Sequence, residues 1–169
     1  MPSVQNARDT LKSYDPIIAG SIVTPVSLTG TTQRVIVGTI TVDKALLTPG
    51  RKLRASMIVE GNLSSATKIY AVHSNVAGAG LSGAGYVINA AFSGSANKYA
   101  TIGELILRDT GQMGGIVNTY SGLGAVGDSL SLYQTEFDLA ANDLELMAAF
   151  ELTDPADMLI LHSFVVEVI

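Results

Sequence analysis

A chain of 169 residues fits one domain with a sizeable core, and its lack of cysteine excludes a disulfide framework and a thiolate metal site. Charged residues make up 15% of it against a usual ~25%, while 47% is apolar, which is a sparse coat of charge for a free surface. Ten Lys+Arg against 15 Asp+Glu leave a net charge of -5 with no basic cluster, so counterion release has no source and no nucleic-acid partner is expected.

The opening "MPSVQNARDTLKSYDP" lacks the uninterrupted apolar stretch of a signal peptide, and no later run reaches the length of a membrane span. A soluble chain with no membrane partner, made outside the secretory route, is the expectation. Within the first 30 residues only Val4, Ala7 and Leu11 keep helical spacing, too short a pattern to be stable alone. With Pro16 and Pro25, this segment reads as an N-terminal docking arm or short helix leading into a domain over 31–169.

Beyond the arm, period 2 dominates over period 3.6. Strands are predicted over Arg34 to Val42 and in "RKLRASMIV", where Leu53, Ala55, Met57 and Val59 oppose Arg54 and Ser56. Others are predicted over Thr67 to His73, Thr101 to Arg108, "SLSLYQTEFDL" before the turn at Ala141 to Asp143, "LELMAAFEL", and Met158 to Ile169. "LELMAAFEL" reads as half-buried: Leu144, Leu146, Ala148, Phe150 and Leu152 share one face, Glu145, Met147, Ala149 and Glu151 the other. Pro49-Gly50 suits a type II turn and "DPAD" at Asp154 to Asp157 a type I turn. Many short strands with glycine and proline turns, and no βαβ alternation, predict an all-β antiparallel β-sandwich, jelly-roll-like.

Two strands break the half-buried pattern. In "RVIVGTITV", Ile36, Ile40 and Val42 oppose Val35 and Val37; in "MLILHSFVVEVI", Ile160, Phe164, Val166 and Val168 oppose Leu159, Leu161, Val165 and Ile169. A strand apolar on both faces must cover both. Val35, Val37, Leu159, Leu161, Val165 and Ile169 are therefore candidates for self-association, beside the alternative of a central strand overlain by a loop.

Catalytic patterns are weak. Gly78, Gly80 and Gly83 spell G-x-G-x-x-G, with Glu104 at the spacing of a ribose acid, but the residues after Gly83 do not keep helical spacing and a phosphate site needs a helix N-terminus. Asp109-Thr110-Gly111 matches the aspartic-protease triplet; one copy would have to dimerise, and Arg108 before the aspartate departs from that pattern. His73 and His162 are the only histidines, without metal-ligand spacing, and read as satisfied core or interface residues. Glu136, Asp138, Asp143, Glu145 and Glu151 fall where solvated residues of alternating strands belong, rather than at a calcium site or catalytic pair. Asn62-Leu63-Ser64 spells a glycosylation acceptor that has meaning only in a secreted protein. Neither G-x-S-x-G nor a cysteine nucleophile is present, so the chain is expected to be no enzyme, with no cofactor and no metal.

The polar arm, "VIVGTITVDKALLTPGRKLR" with its Pro-Gly turn into a basic strand, the Gly/Ala/Ser loops and the closing "HSFVVEVI" resemble virion modules of tailed bacteriophages over Gln33 to Ile169. Those modules are capsid decoration proteins, head fibres and tail-fibre domains. The resemblance implies a jelly roll that associates, often as a homotrimer, and docks on other virion proteins such as the major capsid protein. It also implies residence in the virion after assembly in the host cytoplasm, and function by binding. The alternative is a tail-fibre or carbohydrate-binding sandwich, for which Tyr120, Tyr133 and Glu136 are the nearest set of an aromatic beside a carboxylate.

Overall fold

The computed structural model describes residues 16–94, 98–107, 112–121, 124–125, 135–136 and 141–169. Twelve strands run among them: β1 (Ile17–Ile22), β2 (Val26–Thr29), β3 (Val35–Val42), β4 (Lys52–Gly61), β5 (Ser64–Val76), β6 (Gly85–Gly94), β7 (Lys98–Leu107), β8 (Gln112–Ser121), β9 (Gly124–Ala125), β10 (Thr135–Glu136), β11 (Leu144–Leu152) and β12 (Met158–Val168). The only helical element described is one 3-10 turn, Lys44–Leu46, started by Asp43, whose carboxylate accepts from the Ala45 N–H.

All pairings are antiparallel and fall into two sheets. Sheet A runs β1-β12-β4-β7-β8-β10, with β2 also on β12 and β9 on β8; sheet B runs β3-β11-β5-β6. Leaving aside β2 and β8 to β10, the pairs are nested: β5 with β6 innermost, then β4 with β7, β3 with β11, and β1 with β12. That is a long hairpin rolled up on itself, the jelly-roll wiring, so the expected fold class is the observed one. The inner faces meet in one core, where Leu53, Met57, Phe164 and Val166 of sheet A face Val72, Leu144, Leu146 and Phe150 of sheet B. At Gly103 the sheets approach so closely that a Cβ would stand 2.6 Å from the Val87 carbonyl oxygen, so only glycine fits without pushing β7 off β6.

Both predicted turns form. Arg51 N–H donates to Thr48 O across Pro49-Gly50, with Gly50 at φ 87°, and Asp157 N–H donates to Asp154 O across the last turn. Beside that turn lies a buried ion pair: Lys68 Nζ is 3.2 Å from Asp157 Oδ2, and Asn62 secures the same corner by accepting the Met158 N–H. Asn62 is therefore committed to the turn between β4 and β5.

Four expectations are corrected. Ile17–Ile22 and Val26–Thr29, assigned to the arm, are strands on β12, so the sandwich begins at Ile17; Val4, Ala7 and Leu11 lie outside the described residues. The closing strand is not apolar on two full faces. Its register shifts between Leu161 and Ser163, a bulge that inserts His162 and reverses the alternation. Leu159 and Leu161 therefore join Phe164, Val166 and Val168 in the core, all at 0% exposure, and only Val165 and Ile169 of the proposed face remain outside. In β3 the same device places Val37 as the extra residue opposite Ala148 and Ala149, so that Val35 and Val37 pack against the core with Ile40 and Val42.

The fourth correction is the reverse case. β11 was read as half-buried, yet Met147 and Ala149, on the face opposite Leu146 and Phe150, are each 1% exposed. Ala71 and His73 of β5, paired beside them, are buried as well, and Ala71, Met147 and Ala149 stand apart from the core cluster. Sheet B is thus covered on its outer face, a pattern that alternation alone, with two glutamates on that side, did not suggest. β6 and β8 were not predicted, because "GYVINAAFSG" and "QMGGIVNTYS" lack strict alternation and are rich in glycine.

Candidate functional site

The cover on sheet B starts from small residues at its centre. Ala149 of β11 pairs with Ala71 of β5, and Ala71 with Asn89 of β6, so two alanines lie side by side on the two central strands. Long side chains from both edge strands reach across them. Arg34, just before β3, and Tyr86, on β6, meet with Arg34 Nη1 donating to Tyr86 Oη at 2.7 Å. Glu151 at the end of β11 holds the guanidinium from the side, accepting from Nε at 2.9 Å and facing Nη2 at 2.8 Å through the same oxygen, Oε2. The arginine fork makes this geometry, two N–H groups converging on a carboxylate, more directional than a lysine could.

His73 lies under this strap. Cross-strand pairing puts it between Met147 and Tyr86, and its ring packs against the Tyr86 ring at a tilt of 43°, with centroids 4.4 Å apart. It is 4% exposed and neither ring nitrogen has a hydrogen-bond partner. Burial, reinforced by the neighbouring Arg34 charge, lowers its pKa to about 4, so the ring is neutral at physiological pH. The expectation of a satisfied histidine is corrected: burial is right, satisfaction is not. With Arg34 and Glu151 cancelling each other, the cluster carries no net charge while presenting donors and a carboxylate, since 27% and 31% of those two side chains are exposed.

The outer face of sheet A differs. Ile18 of β1, Val165 of β12, Ile58 of β4 and Ile102 and Ile106 of β7 point outward from four neighbouring strands, with Ile18 65% and Ile58 41% exposed. Its charges are paired among themselves: Arg54 bonds Glu104 at 2.7 Å and reaches Glu167, while Lys52 also faces Glu104. Glu104, the candidate ribose acid, is thus on the face opposite to any use by the glycine loop. His162, extruded by its bulge, bonds Glu60 at 2.7 Å, and this bond, with Lys98, holds the Glu60 carboxyl below its usual range.

The glycine triplet forms the β5–β6 loop. Gly78, Gly80 and Gly83 all have positive φ, Asn75 Nδ2 donates to the carbonyls of Gly80 and Ser82, and a strand follows. Among the described residues, no group of three His, Asp or Glu is placed to hold a metal, and no helix is long and apolar enough to cross a membrane. Asp109 and Asp138 lie outside the described residues, as do the side chains of Tyr120, Tyr133 and Glu136.

No protein-family model and no curated protein matches the chain. Among solved structures it is similar to an endo-β-1,4-glucuronan lyase from the fungus Trichoderma reesei, at 9% identity and a TM-score of 0.44, covering 92% of this chain and 88% of that one. A protein of unknown function from Shewanella oneidensis aligns over 99% of this chain and 96% of that one at 11% identity and a TM-score of 0.42. The infectious bursal disease virus structure (Gt strain) aligns over 92% of this chain and 41% of that one, at 12% identity and a TM-score of 0.28.

Proposed function

We propose that this chain is a non-enzymatic structural protein of a virus particle, a capsid decoration or head-fibre subunit that assembles with copies of itself, as a homotrimer, and docks on other virion proteins. The observation that carries the reading is the outer face of sheet A. Branched apolar residues on four adjacent strands, 18, 58, 102, 106 and 165, surround charges that already neutralise one another. Burying such a face removes apolar area from water at about 25 cal/mol per Å² without stranding an unpaired charge. A low charge content over the whole chain favours the same outcome.

Sedimentation velocity on the wild type and on Val165→Glu tests it. The expected result is a concentration-dependent trimer for the wild type and a folded monomer for the variant, because the added carboxylate would be desolvated in the contact with no partner. A wild type that stays monomeric at every concentration, and on isolated particles, overturns the proposal.

A further inference from the structure

The strap that covers sheet B also joins a buried, unpaired histidine to a charge-balanced pair of polar side chains that are partly exposed. An apolar residue of similar size at position 73 would spare the protein two unpaired ring nitrogens, whose burial costs about 1–3 kcal/mol. Arg34 directs Nε and Nη2 at one oxygen of Glu151 and Nη1 at Tyr86. A guanidinium has five N–H donors, so the second hydrogens of Nη1 and Nη2 are left over, and the other Glu151 oxygen is left as acceptor.

We propose that the outer face of sheet B is a binding site for a neutral saccharide, recognised by Arg34 and Glu151, with Tyr86 and His73 as positioning residues. Adjacent hydroxyls of a sugar ring are each donor and acceptor at a spacing that a guanidinium and a carboxylate held side by side can meet together: one hydroxyl donates to Glu151, the next accepts from Arg34. Charge selects against an acidic ligand. Glu151 already neutralises Arg34, so an incoming carboxylate would either face Glu151 or displace it. Asn89, exposed on β6 beside Ala71, adds an amide to the same face. Tyr86 holds the guanidinium through its hydroxyl, and the His73 ring beneath it holds Tyr86 without adding charge.

The test is an oligosaccharide array followed by calorimetry with cellohexaose, maltohexaose and mannohexaose as neutral probes and an oligogalacturonate as the acidic one. A neutral probe is expected to bind. Glu151→Gln is expected to weaken it at least tenfold and to strengthen the acidic probe, since Arg34 then loses its counter-charge. Tyr86→Phe keeps the ring against His73 and removes the hydroxyl that anchors Arg34; it is expected to weaken binding several-fold. Glu60→Gln, on sheet A, is expected to leave binding unchanged. Failure of every sugar on the array, binding of acidic sugars alone, or indifference to both sheet B variants overturns the proposal. Loss of binding in Glu60→Gln equal to that in Glu151→Gln does so too. Self-association is read on the opposite face by sedimentation, so either proposal fails without the other.

Discussion

Position 146 shows at the residue scale how strictly this sandwich separates its two environments. Leu146 is at 0% exposure in the core, while its neighbour Glu145 points to the other side and is half-buried. Leu146→Asp loses the roughly 1.5–3 kcal/mol of a buried leucine and strands a carboxylate, enough to unfold a domain of ordinary stability. Glu145→Lys is expected to shift stability by no more than about 0.5 kcal/mol. Urea denaturation of both variants checks the pair; equal tolerance would refute the assignment of faces.

Two buried titratable groups make acid stability fall in separate windows. The His73 pKa lies at about 4 against an ordinary 6.5, so its contribution is whole above pH 6.5, is lost as pH falls toward 4, and changes no further below. The loss is on the order of 3 kcal/mol. Arg34 beside it, its pKa raised by its bonds to Tyr86 and Glu151, keeps its charge throughout that range. Asp157 acts lower: the Ser64 hydroxyl first, and then Lys68, hold its carboxyl below the usual range. Its contribution is present above the ordinary carboxylate value and is lost as pH falls through the lower, folded value. Melting temperatures from neutral to strongly acid pH are expected to show both declines, and His73→Phe is expected to remove the first alone. An unchanged slope in that variant would assign the loss elsewhere.

At the scale of elements, single inserted residues decide which side chains are inside. The bulge at His162 lets one strand send Leu159 and Leu161 inward before it, and Phe164, Val166 and Val168 inward after it. Strict alternation across that point makes such a strand look apolar on both faces. β11 has no such excuse, since its pairing to β5 is continuous, and its second face is buried because side chains from distant strands cross it. Met147→Asp is therefore expected to destabilise the domain by at least about 3 kcal/mol, as a core substitution would, through burial of an unpaired charge. Thr39→Asp, at the paired and exposed position on edge strand β3, is expected to cost under about 0.5 kcal/mol. Denaturant midpoints for the two variants separate a covered face from a wet one.

For the whole molecule, the start of the sandwich at Ile17 sets what truncation does. Removal of residues 1–15 is expected to leave the melting temperature intact and, under the proposed role in a virus particle, to keep self-association and weaken docking, measured by co-sedimentation with shells lacking the protein. Removal through Gly20 is expected to lower stability as well, because it strips from Val166 and Val168 the half of β1 that pairs with them. Unchanged docking after the shorter cut would move attachment to the domain.

The class of fold is legible in the linear chain. Period 2 with Pro-Gly and Asp-Pro turns is a local property, and β4, β7, β11 and β12 stand close to where alternation put them. The absence of cysteine and of a basic cluster likewise needs no third dimension. Which faces are buried follows from strand pairing and packing across the sheets. Bulges at Val37 and His162 leave no mark in composition, and β1 and β2 are strands because β12 offers them an edge. The candidate site was equally hidden. Arg34, His73, Tyr86 and Glu151 span 118 positions; alternation puts Glu151 on a solvated face and His73 in a strand, but no spacing links either to Arg34 or Tyr86. Antiparallel pairing in a rolled hairpin brings such distant residues onto one face, and no spacing rule in a linear chain encodes that juxtaposition.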